Sequence, residues 1–131
     1  MRIDQALESA IKNVPKAVAA GAVDMESGML LGIKTTASHP QEVFDLLAAA
    51  TRDMYEGDNV VQIENLFKKA RGVKSEEHYF REIVVFSKNL LHYFSRVKSQ
   101  EKIVFAVICS VDANIGMTLV KGREIAGAIE M

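Results

Sequence analysis

The sequence predicts an α+β domain: a five-stranded, mostly antiparallel sheet with helices on its faces, in the order α-β-β-α(α)-β-β-β-α. Three features predict it. Ile103–Cys109 is an apolar run of strand length, with no polar face, as in a strand covered on both sides. Two other stretches, 17–35 and 80–98, hold β-rich segments separated by turns too short for a crossover, so neighbouring strands run antiparallel. Between and beyond them, apolar residues recur at helical spacing, and the helices must cover at least one face of the sheet.

Residues 2–13 read as a helix. Ile3, Leu7, Ala10, Ile11 and Val14 recur on one side, Asp4, Glu8 and Lys12 on the other, and Pro15 stops it. Residues 17–24 are alanine-rich and helical by propensity. The preceding proline and the following turn signal make them a strand, whose small side chains allow helices to approach closely. Asp24–Gly28 is the turn, with Gly28 able to take positive φ, and Met29–Thr35 returns. Ser38 reads as a helix N-cap with Gln41 completing a capping box and Pro40 tolerated in the first turn. Val43, Leu47, Ala50 and Met54 then form a stripe that Phe44 and Ala48 widen. Gly57 interrupts it, and Val60, Ile63, Phe67 and Ala70 restart it as far as Gly72, so 39–71 is one bent helix or two. Phe80–Ser87, 91–97 and 103–109 are the remaining strands, turned at Lys88-Asn89 and across Lys98–Lys102. A last helix is expected from Asp112, with Ile115, Leu119, Gly122, Ala126 and Ile129 along one side.

The chain has 131 residues, 49% of them hydrophobic and 25% charged, with formal net charge −1, which is the balance of a single packed domain, 1–131, rather than a disordered segment. There is no basic excess for nucleic acid, so no nucleic-acid partner is expected, although Lys68, Lys69, Arg71 and Lys74 cluster locally. No apolar run approaches the ~20 residues that cross a bilayer, so no membrane partner is expected. One cysteine, Cys109, cannot form an internal disulfide, and the first residues lack the layout of a signal peptide. A cytoplasmic location is the expectation.

The residues offer little catalytic chemistry. His39, His78 and His92 lack metal-ligand spacing. Cys109 ends an apolar strand shortly before a helix N-terminus, a place where a thiol can be activated, yet a buried free cysteine is ordinarily inert packing. Gly21, Gly28 and Gly32 are not spaced as GxGxxG, and no GxxxxGK[ST] occurs. Gly122 shares a face with Ile115 and Leu119, as close helix-to-sheet packing requires. Glu76 and Glu77 stand in a polar stretch with Lys74, Ser75 and His78 and read as a solvated loop. No catalytic residue, cofactor or metal site is expected.

Two stretches resemble a known family. One is Val18–Ile33 with its leading alanine, AVAAGAVDMESGMLLGI; the other is Val104–Val120, VFAVICSVDANIGMTLV, a buried strand running into an Ala-Asn-x-Gly helix start. Both are similar to the Roadblock family, which includes Roadblock-type dynein light chains and prokaryotic regulators of Ras-like GTPases. The resemblance implies a profilin-like fold and a non-enzymatic role. It implies a homodimer formed through the middle helix and an edge strand, serving as a platform for a protein partner such as a small GTPase. Carried over by element, the interface involves Val43, Leu47, Ala50 and Met54 with Ile83, Val84, Val85 and Phe86. An apolar edge strand independently asks for pairing. The stretch 56–79 departs from the family, whose members pass quickly from the middle helix to the third strand. The alternative function is a small-ligand-sensing module of the same fold, with its pocket between sheet and helices.

Overall fold

A computed structural model describes residues 1–37, 41–72 and 78–130. The elements are α1 (Ile3–Asn13), β1 (Ala17–Asp24), β2 (Leu30–Thr35), α2 (Gln41–Glu56), α3 (Asp58–Arg71), β3 (Glu82–Phe86), β4 (Leu90–Val97), β5 (Gln100–Ser110) and α4 (Ile115–Ala128). The five strands form one sheet in the order β2-β1-β5-β4-β3. Every neighbouring pair is antiparallel. The expected element order and the central place of Ile103–Cys109 both hold, and β3 is an edge strand.

The β1–β2 hairpin turns through Gly28 at φ 74°, where an L side chain is strained, and Asp24 accepts from Glu26 N–H and Ser27 Oγ–H to close the turn. Alternation along β1, β4 and β5 divides the buried residues between the two faces of the sheet. Ala20, Ala22, Leu91, Tyr93, Phe105, Val107 and Cys109 pack with α1 and α4 on one face. Val23, Phe94, Val104 and Ala106 share the other with Met25, Ala48 and Tyr55. Small residues in β1 allow close cover, as expected. On α4, a Cβ at Gly122 would lie 2.6 Å from the Tyr93 ring, so only glycine seats that helix on β4.

Of the two readings of 39–71, the structure takes the second: Gly57 divides it into two helices, α2 and α3. Other expectations need correction. The β4–β5 turn is tighter than Lys98–Lys102, because β5 begins at Gln100. α4 starts at Ile115, where the Asn114 side chain accepts the Met117 N–H as N-cap; Asp112 is outside the helix and pairs with Lys16 Nζ at 2.6 Å. The side of α4 facing the sheet carries Thr118, Gly122, Ile125 and Ala126, while Ile115 is exposed. On α3, Val60 of the expected stripe is half-buried, but Ile63, Phe67 and Ala70 are exposed and the buried residue is Glu64. The Ser38 cap, His39, Pro40 and the Lys74–Glu77 stretch lie outside the described residues.

Candidate protein-binding face

α2 crosses the second face of the sheet, and polar contacts fix its C-terminal half. Tyr55 is fully buried, and its hydroxyl donates to the Arg81 carbonyl at 3.1 Å. The Arg96 guanidinium lies over the Tyr55 ring, 4.8 Å from its centroid. Arg96 itself donates to the carbonyls of Phe80 and Glu101, each at 2.8 Å, and to Glu56 at 3.1 Å. A buried cation with this many acceptors is satisfied. Arg52 Nε donates to the Met25 carbonyl at 2.8 Å and ties the helix to the β1–β2 turn.

The rest of α2 stands over a hollow. A cavity of about 220 Å³ lies between helix and sheet, walled by Phe44, Leu47, Ala50 and Met54 from α2 and by Val85, His92 and Phe94 from β3 and β4. Gly21, Ala106 and Ile108 also line it, and the small residues among them make the space. Its walls are almost wholly apolar. Among the described residues that line it, His92 is the one titratable group, and burial pushes its pKa below the ordinary histidine value, which favours the uncharged ring.

The structure brings Leu47, Ala50, Met54 and Val85 together on this cavity. Ile83 is half-buried against the same cluster. Val43 is exposed on α2 but is not part of the cavity wall. Val84 pairs in register with Tyr93, whose side chain belongs to the other face, so alternation sends Val84 and Phe86 to that side of the edge. Phe86 is 59% exposed and Leu46, on α2, 63% exposed, which makes them large apolar groups left open. Sequence reasoning missed Leu46, Tyr55 and the cavity role of His92. Strand alternation with Phe94 was the one available signal for His92, because it sets both on one face.

Cys109 is fully buried, and burial raises its pKa, which disfavours the thiolate that a nucleophile needs. Glu82 accepts from Arg123 Nε at 2.8 Å and from the Tyr93 hydroxyl; the Arg123 bond chiefly holds its carboxyl below the usual range. His78 faces Glu56 and Glu64 at 3.8 and 3.7 Å. Among the described residues, no group of three His, Cys, Asp or Glu is placed to hold a metal ion, and no helix is long and apolar enough to cross a membrane.

This sheet order, with α1 and α4 on one face and α2 on the other, is the fold of the Roadblock/LC7 domains. Two solved structures carry that statement. The gliding protein MglB of Thermus thermophilus aligns with a TM-score of 0.69 at 20% identity, over 96% of this chain and 84% of that one. A Roadblock/LC7 domain from Streptomyces avermitilis aligns at 0.65 and 16% identity, over 96% and 92%. A further structure, of MglB with tetrameric arrangement, aligns at 0.69 and 20% identity, over 96% and 83%. No family model matches the sequence, and no curated protein matches it.

Proposed function

We propose that the chain is a non-enzymatic regulatory or scaffold protein that homodimerises and presents the paired domains to a protein partner, a small Ras-like GTPase being the class its Roadblock-type fold suggests. The observation that carries the reading is the unfinished face. An edge strand with exposed Val84, Val85 and Phe86 borders a helix with exposed Val43, Leu46 and Leu47, and an apolar cavity lies between helix and sheet. A second copy pairing β3 with β3 would remove the free edge and cover Val85 and Leu47 together. A neighbour of this fold is described in a tetrameric arrangement, in keeping with domains that associate.

Light scattering at micromolar concentration is expected to give at least a dimer mass, with Val85→Glu and Leu47→Glu each lowering it while the fold persists. A wild-type monomer would sink the reading. For the partner, a binding titration with a small GTPase in its GDP and GTP forms is expected to show preference for one form; equal absence of binding to both removes the GTPase from the proposal.

The cavity itself favours a second reading, a small-ligand sensor. Its volume exceeds that of engineered apolar cavities that bind benzene, ~150 Å³. A compact apolar molecule retained through purification, seen by native mass spectrometry, would support this; retention in Ala106→Leu as in wild type would exclude this cavity as its place.

A further inference from the structure

The lining of the cavity under α2 restricts what it can hold. Among the described residues, no charged side chain lines it. Its two polar side chains are already engaged. The Thr51 hydroxyl donates to the Leu47 carbonyl at 2.8 Å, and His92 Nε2 and Ser87 Oγ lie 3.4 Å apart. Burial favours the uncharged His92 ring, which gives an anion no counter-charge. A carboxylate or an ammonium placed here would lose its hydration and gain no partner. Gly21 and Ala106 keep the floor low, and Phe44 and Phe94 stand as walls around about 220 Å³. A void of this kind suits a compact, uncharged molecule with an apolar, ring-sized body.

The rim of the cavity coincides with the pairing surface. Leu47 and Val85 both line it and are 45% and 36% exposed, so they stand between the hollow and solvent. The β3–β3 pairing covers both. A molecule held beneath them has more of its apolar surface shielded from water in the dimer than in the monomer. Support also runs the other way. α2 is tied down at its C-terminal half by Arg52 and Tyr55, whereas Phe44 and Leu47 stand over the hollow. A body in the hollow gives that half of the helix a surface to rest on, and Leu47 is part of the pairing face. Each event favours the other, and such coupling is reciprocal.

We propose that a compact, uncharged apolar ligand in this cavity and homodimerisation reinforce each other, so that the ligand regulates assembly of the paired platform. The coupling rests on the β3–α2 pairing proposed above. Two cavities per dimer make its effect on the dimer dissociation constant the square of its effect on ligand affinity.

The test is sedimentation equilibrium on the full chain with and without benzene at saturation, with melting curves confirming that each variant is folded. Benzene is expected to lower the dimer dissociation constant roughly tenfold. Sodium benzoate at the same concentration is expected to leave it unchanged. Leu46→Glu changes the pairing face away from the cavity wall. As a monomer it is expected to bind benzene roughly threefold more weakly than the wild-type dimer in an NMR titration. Ala106→Leu fills the cavity from its floor and is expected to pair without responding to benzene; Ala106→Val, a smaller intrusion, is expected to respond less than wild type. A wild-type dimer whose dissociation constant benzene does not move overturns the proposal and leaves the pairing standing. An undiminished response in the Ala106 variants overturns it by placing the effect elsewhere, and an equal response to benzoate overturns the uncharged class. A chain that stays monomeric with and without benzene sinks the pairing, and the coupling with it.

Discussion

The two faces of the sheet are finished to different degrees. Under α1 and α4, interior side chains interlock closely enough that Gly122 has no room for a methyl group beside Tyr93. Under α2, the same sheet leaves about 220 Å³ open and Leu46 and Leu47 exposed. Both faces are apolar, so hydrophobicity does not separate them. What differs is cover: two helices close the first face, whereas one helix, fixed at its C-terminal half by Tyr55, Arg52 and Arg96, only partly spans the second. A face left open on a monomer is where association gains most.

The largest expected effect lies on the closed side. Phe105→Ala, in the middle of β5 and fully buried, is expected to cost about 3–5 kcal/mol in a urea melt. A loss below about 1 kcal/mol would mean that this face is not close-packed. Next comes a matched pair of enlargements. Gly122→Ala forces its new methyl against Tyr93 and is expected to cost about 1–3 kcal/mol, whereas Ala106→Val grows into the cavity and is expected to change stability by under about 1 kcal/mol. Equal costs for the two would erase the contrast between the faces.

Smaller still is the contribution of Glu82, which ties β3 to α4 through Arg123. Its folded pKa is depressed, so the stability it lends is present above the unfolded carboxylate value and is lost as pH falls through the folded value. The pair is partly exposed, so the loss is expected to stay under about 1 kcal/mol. Melts of wild type and Glu82→Gln between neutral and acid pH should converge as pH drops; a constant gap would assign the difference to packing instead. The smallest effect is expected at Lys68→Ala and Lys69→Ala, within about 0.5 kcal/mol of wild type in the same melt, because their side chains pack in neither core cluster.

The backbone plan was legible before any coordinates. Pro15, Gly28 and the lengths of the turns delimit the early strands through local sterics, which need no distant partner to act. The apolar run 103–109 could only be a covered strand. These local signals also placed β3 at a turn-bounded position, and its apolar content marked a surface in need of pairing. Tyr55 was not legible, because a lone aromatic in a polar stretch carries no period. Nor was Arg96: a buried arginine depends on carbonyls from Phe80 and Glu101 that meet only in the folded chain.

By itself, the sequence determined the element order, the hairpin at Gly28, the central strand and the absence of a strong charge bias. Those are properties of short segments and of composition. Tertiary structure decided where an apolar stripe is left uncovered. Along α1 the expected Leu7, Ala10 and Val14 are buried, and along α4 Gly122, Ala126 and Ile129 are, with Ile115 exposed and Thr118 turned to the sheet; on α3 Ile63 and Phe67 of the expected stripe are exposed while Glu64 is buried. Periodicity states that a helix has an apolar side. Whether that side meets the domain or waits for another surface depends on where the neighbouring elements end, and that is set by packing across the whole fold.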